Sequence, residues 1–149
     1  MSHILDTNIF NWLREGRLQI GDLPASRPYI ATNVQISELN KTKNEAIRSQ
    51  LLEIFTALTP EIYPTETFVA DVSCVDIDKL GGGELYEKLR AALNLLNDSK
   101  QNNIQDALIG EVALLQGLTL ITADGDFAKV VQEHGGVVIY FSPSRSMVT

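Results

Sequence analysis

Leu118-Thr119-Leu120-Ile121-Thr122 is a short apolar run that gives way at once to Ala123-Asp124-Gly125-Asp126, and its reading decides the fold. A brief run of this kind, flanked by turn and capping residues, is the pattern of a strand buried in a parallel sheet. Three other stretches share it: Ile4-Leu5, Tyr29-Ile30-Ala31-Thr32, and Val137-Val138-Ile139-Tyr140-Phe141, which Gly135-Gly136 introduces. Helical patterns lie between them. Ile9 and Leu13 stand a helical turn apart in a segment ending at Gly16, and Ile47, Leu51, Phe55 and Leu58 form a stripe that Pro60 stops. Leu85, Leu89, Leu93 and Leu96 make a second stripe, and Ile104, Leu108, Val112 and Leu115 a third. A last short helix fits residues 126–134, before the glycine pair that would end it. Strands alternating with helices imply right-handed crossovers. The expected class is therefore α/β, a three-layer α/β/α domain around a short, mainly parallel sheet.

At 149 residues and 16.4 kDa the chain suits one domain, 1–149. A domain of this size buries roughly 70% of its unfolded surface and sustains a core without staples. Residues 61–83 are the least regular: they hold Pro64, a candidate strand Phe68-Val69-Ala70-Asp71-Val72, and Gly81-Gly82-Gly83. They read as a lid or edge excursion. Cys74 is the single cysteine, which excludes an internal disulfide and any multi-cysteine zinc site. No apolar run reaches the roughly 18 residues a membrane span needs. The stretch Met1-Ser2-His3-Ile4-Leu5-Asp6 has neither the basic nor the apolar region of a secretory signal, so the cytoplasm is the expected compartment.

Acids outnumber bases 19 to 12, for a net charge of −7. That argues against a protein that clings to nucleic acid through a general positive field. It leaves room for an enzyme that acts on nucleic acid, because carboxylates gathered around divalent metal also make a chain acidic. Open α/β sheets carry their working sites beyond the carboxyl ends of the strands. Asp6 falls there after Ile4-Leu5, and Asp124 falls there after Leu120-Ile121-Thr122. Glu38 belongs to the first turns of a helix begun at Asn33, and Asp106 to the first turn of one begun near Asn103 or Ile104. The four could converge on one sheet edge. Close carboxylates repel unless protons or cations neutralise them, and oxygen ligands without nearby His or Cys suit Mg²⁺ or Mn²⁺. Such ions activate water and neutralise charge on a phosphoryl group, as phosphodiester hydrolysis requires. Thr7, Asn8 and Thr122 could orient the carboxylates from behind.

Ile4-Leu5-Asp6-Thr7-Asn8, Ile36-Ser37-Glu38-Leu39, Gln105-Asp106-Ala107-Leu108-Ile109 and the stretch from Leu120 to Phe127 together resemble the four acidic motifs of the PIN-domain ribonucleases. The nearest subgroup is the VapC-like toxins of toxin–antitoxin pairs. The resemblance spans nearly the whole chain, in order. It implies a PIN-like fold, a Mg²⁺- or Mn²⁺-dependent endoribonuclease that cuts RNA to leave a 5′-phosphate and a 3′-hydroxyl, a homodimer, and a neutralising antitoxin partner. By motif, Asp6, Glu38, Asp106 and Asp124 are the catalytic, metal-binding quartet, and Asp126 matches a frequent second acid of the last motif. Residues 61–83 are the least family-like.

Each residue also has a plainer reading. Asp6 suits a helix N-cap, Glu38 a solvated helix face, Asp106 a first-turn acid favoured by the helix dipole, and Asp124-Gly125 a turn. Asp126 reads equally as a metal ligand or as the N-cap of the last helix. His3 and His134 lack ligand spacing, Trp12 reads as packing, and Lys41, Lys43 and Arg48 read as a solvated face rather than a phosphate rim. Gly81-Gly82-Gly83-Glu84 lacks the Lys-Ser/Thr of a phosphate loop. Two rival functions remain: a catalytically silent scaffold of the same fold, and a phosphatase of the haloacid dehalogenase type. The latter needs a second Asp where Asn8 stands.

Overall fold

A computed structural model of the protein describes residues 2–24, 29–58, 61–63, 84–97 and 103–142. The chain order is β1 (His3–Leu5), α1 (Thr7–Glu15), a 3-10 turn (Ile20–Asp22), β2 (Ile30–Thr32), α2 (Asn33–Asn40), α3 (Glu45–Leu58) and β3 (Glu61–Tyr63). It continues with α4 (Glu84–Asn97), α5 (Asn103–Gln116), β4 (Thr119–Thr122), α6 (Gly125–Glu133) and β5 (Val138–Tyr140). The candidate strand 68–72, the glycine triplet and Cys74 lie outside the described residues.

The strands form one parallel sheet in the order β3-β2-β1-β4-β5. β1 pairs with β4 over its full length, from His3 beside Thr119 to Leu5 beside Ile121. Side chains alternate across the sheet with period two. Ile4, Ile30 and Leu120 face a core built with Leu89 and Leu93 of α4, Leu108 and Val112 of α5, and Phe127 and Val131 of α6. Leu5, Ala31 and Ile121 face the other core, with Ile9 and Phe10 of α1 and Leu51 and Phe55 of α3. The sheet is thus the middle of three layers. The covering helices change face where the strand order reverses direction, between β1 and β4, as a single crossover hand demands. That reversal is the switch point at which open sheets of this kind leave a crevice.

The α/β expectation holds, and the sheet is parallel throughout the described strands. Two expectations need correcting. Residues 61–63 are not part of an excursion but the edge strand β3, paired with β2; three residues between Pro60 and Pro64 were too short to read as a strand. The last helix starts at Gly125, and its N-cap is Asp124 rather than Asp126. Two stripes also run out early. Leu96 and Leu115 are exposed at the ends of α4 and α5, whereas α5 is buried without a gap from Ala107 to Ala113. A helix packed on most of its circumference shows little stripe.

Candidate active site: an acidic cavity at the switch point

Asp6 follows β1 directly, and its amide extends the ladder by donating to the Ile121 carbonyl at 2.9 Å. Its side chain is buried and caps α1. Oδ1 accepts from the Thr7 amide at 2.8 Å, and Oδ2 accepts from the Thr122 hydroxyl at 2.7 Å. Thr122 ends β4 and its hydroxyl in turn accepts from the Asp124 amide at 3.0 Å. Asp124 caps α6 with one oxygen, which accepts from the amides of Asp126 at 3.0 Å and Phe127 at 3.3 Å. Asn8 ties the same two strand ends together, its Oδ1 accepting from the Ala123 amide at 3.3 Å. The cap reading and the crevice reading of Asp6 and Asp124 are therefore compatible: one carboxylate has oxygens enough for both.

Glu38 arrives from α2, whose start is held by a capping box. Thr32 accepts from the Val34 amide, and the fully buried Gln35 accepts from the Thr32 amide at 2.8 Å. The Gln35 Nε2 also donates to the Leu5 carbonyl at 2.8 Å, which ties α2 to the end of β1 one residue before Asp6. With α2 so placed, the Thr7 hydroxyl donates to Glu38 Oε1 at 2.5 Å. Asp106 is buried in the first turn of α5. That helix start is fastened to α4 by Asn103, whose Nδ2 donates to Asn94 at 2.7 Å and Asn97 at 2.8 Å.

Asp6, Glu38, Asp106 and Asp124 line one cavity of about 210 Å³, together with Thr7, Asn8 and Asn11. Asp126 is not among its walls; it occupies the first turn of α6 beyond the cap. Burial, and then the charges of Glu38 and Asp124, push the Asp6 carboxyl up to about 7, against the hydrogen bonds from Thr122 and Thr7. Burial likewise raises Glu38, opposed by the Thr7 hydroxyl and by Lys41. Carboxyls whose ionised forms are this costly call for a proton or a cation. Among the described residues, the lining carries no Lys, Arg or His to serve.

Among the described residues, no three acid, His or Cys side chains stand close enough to grip one ion as placed. Mg²⁺ does not need that many, since it keeps several waters and is bound through one or two carboxylates. Oxygen ligands without His or Cys, two of them (Asp6 and Glu38) with raised proton affinity, fit a hard divalent cation of that kind.

The remaining candidates follow their plainer readings. His3 is buried with its ring edge toward Tyr29, the centroids 6.3 Å apart. His134 is the C-cap residue of α6, Trp12 packs in the core under Arg17, and Arg48 donates to the Thr42 carbonyl at 2.9 Å. Sequence reasoning missed Asn11, Gln35 and Asn103. Asn11 had a signal, its helical spacing from Thr7 and Asn8, and Gln35 had one in the Thr32-Asn33-Val34-Gln35 capping-box pattern; Asn103 is an internal tie.

No protein-family model matches the chain, and a search of curated proteins finds no match. Solved structures do match, and they share its three-layer α/β fold. Among them are VapBC2 from Rickettsia felis bound to a DNA fragment from its promoter (20% identity, TM-score 0.59, covering 94% of this chain and 98% of that one), and VapBC-1 from nontypeable Haemophilus influenzae (20%, 0.59, 95% and 98%). VapBC-5 from Mycobacterium tuberculosis, a member of the VapBC family of toxin–antitoxin systems, is similar at 22% identity with TM-score 0.51, covering 95% and 98%. The chain has the VapC-like PIN fold toward which its motifs pointed. At these identities the likeness is one of fold.

Proposed function

We propose that this protein is a Mg²⁺- or Mn²⁺-dependent endoribonuclease that hydrolyses RNA phosphodiester bonds and serves as the toxin of a toxin–antitoxin pair. The observation that carries the reading is the gathering of Asp6, Glu38, Asp106 and Asp124 on one cavity at the switch point, with no basic side chain among the described residues of the lining. The three structural neighbours named above are VapBC structures and support an antitoxin partner, and a homodimer is proposed with it.

Asp6, Asp106 and Asp124 would hold the cation. Once bound, it supplies Lewis acidity toward the phosphoryl oxygens and lowers the pKa of water. The protein's own contribution is alignment. Thr122 and the Thr7 amide fix both oxygens of Asp6, so its carboxylate is oriented before any ligand arrives. Thr7 holds one oxygen of Glu38 and leaves the other to accept a proton from, and so orient, an attacking water. Asn8 and Thr122 keep the ends of β1 and β4 in register.

Purified protein, free of any antitoxin, should cut a single-stranded RNA internally with Mg²⁺ or Mn²⁺ and not in EDTA, leaving 5′-phosphate ends. RNA that stays intact with enzyme in excess and either metal present would overturn the nuclease reading. A small protein that co-purifies from the native host and blocks cleavage is the expected antitoxin.

A further inference from the structure

α1 carries Asn11 one turn beyond Thr7 and along the same edge as Asn8, and all three line the acidic cavity. Their polar atoms are unequally committed. The Thr7 hydroxyl donates to Glu38, and Asn8 Oδ1 is held by the Ala123 amide. Asn11 makes one contact, from Nδ2 to the Thr7 carbonyl at 3.5 Å, longer than the roughly 3.2 Å at which such bonds are ordinarily made. Asparagine is a poor helix former, favoured at caps and turns, and Asn11 caps nothing. It also stays out of the apolar core that Ile9 and Phe10 enter from the same helix. Neither helix propensity nor packing accounts for an amide at this position.

What enters the cavity does. A sugar–phosphate backbone presents oxygens, and the carboxylates can only repel its phosphates. With the Thr7 hydroxyl spent on Glu38, the side-chain donors left among the described residues of the lining are the amides of Asn8 and Asn11. Asn8 is anchored to the strand ends, and Asn11 stands a turn further out. We infer that Asn11 is a substrate-contacting residue, whose Nδ2 donates to an oxygen of the RNA backbone beside the scissile bond. The inference rests on the ribonuclease reading and extends it from cutting the chain to holding it.

The test is anisotropy of a short fluorescent RNA in Ca²⁺, its integrity checked on a gel, for wild type, Asn11→Ala and Asn11→Asp. The Mn²⁺-induced rise in melting temperature is followed in parallel. Asn11→Ala should weaken RNA binding about five- to tenfold, the range of one lost hydrogen bond, and leave the Mn²⁺ response at its wild-type size. Asn11→Asp should bind at least as poorly, because it replaces a donor with a charge. RNAs with single 2′-deoxy positions separate the acceptors. If one of them abolishes the difference between wild type and Asn11→Ala, the acceptor is that 2′-hydroxyl; if the difference persists on all, it is a phosphate oxygen. Binding by Asn11→Ala within twofold of wild type overturns the inference, and so does a parallel loss of the Mn²⁺ response, which would mark a structural role. Wild type that binds RNA without ever cutting it defeats the ribonuclease reading alone, since the binding comparison still decides Asn11. Wild type that binds no RNA defeats both.

Discussion

Asp6 does two jobs that pull against each other, capping a helix as an anion while buried beside other anions. A carboxyl that holds its proton more tightly in the folded protein than in the unfolded chain stabilises the fold below its ordinary value of 3.8. That stabilisation is lost as pH rises through about 7. In EDTA the protein should therefore melt progressively lower between pH 4 and pH 7, by an equivalent of about 4 kcal/mol at most. Asp6→Asn should flatten that slope and melt higher than wild type at pH 8, while losing cleavage. A variant that melts lower than wild type at pH 8 would contradict the charge argument. Asp124 permits a sharper separation. Asn caps a helix about as well as Asp, whereas Ala forfeits about 1 kcal/mol. Asp124→Asn should keep the melting temperature and lose metal-dependent cleavage, Asp124→Ala should lose both, and Asp126→Ala should keep both. Thermal melts and single-turnover cleavage of the three decide it. Sequence ranks Asp124 above Asp126 as the ligand but misplaces the cap, because either acid can precede a helix and Gly125 reads as a turn. The structure puts Gly125 inside the helix, under the Tyr140 hydroxyl, which a Cβ there would approach to 3.1 Å.

At the scale of elements, what could be read in advance was whatever announces itself locally. Ile4-Leu5 and Leu118 to Thr122 show an apolar run bounded by capping residues, and α3 shows its stripe and its stop. β3 announces nothing, since it is a strand only because β2 lies beside it. The ties that set α2 and α5 against other elements are also invisible locally, although the Thr32–Gln35 half of one of them is a capping box that local sequence marks. Gln35 is the clearest case, a fully buried amide that satisfies a helix start and the end of β1 together. Removing it leaves the Thr32 amide and the Leu5 carbonyl without this partner in a dry place, at about 1–3 kcal/mol for each buried group. Gln35→Ala should accordingly lower stability by about 2–4 kcal/mol in urea unfolding. A loss under 0.5 kcal/mol would mean that other groups take over both bonds. Because α2 carries Glu38, the same variant should also cut RNA more slowly.

For the molecule as a whole, the site is a product of strand order. Four acids following strands or opening helices could be picked out singly. That they share one cavity depends on β1 lying against β4, a pairing between distant parts of the chain; sequence placed the acids at strand ends and helix starts without giving that pairing. A cavity so charged makes stability depend on what fills it. A cation that binds only the folded site, at about 100 times its Kd, adds roughly 2.7 kcal/mol. For a chain of this size that raises the melting temperature by about 5–10 °C. Asp106→Asn should show little of that rise. Equal shifts in wild type and Asp106→Asn would place the cation elsewhere.

The hydrogen bond from Thr122 to Asp6 joins residues 116 positions apart. During synthesis, then, Asp6 is made well before its counterpart and waits for it. At 5–20 residues per second that interval is roughly 6–23 seconds. Until β4 has emerged and docked, the nascent chain carries scattered acids rather than a finished cavity. On the proposed ribonuclease reading, a chain that attacks RNA would be kept harmless toward its own message over that interval, by chain order alone.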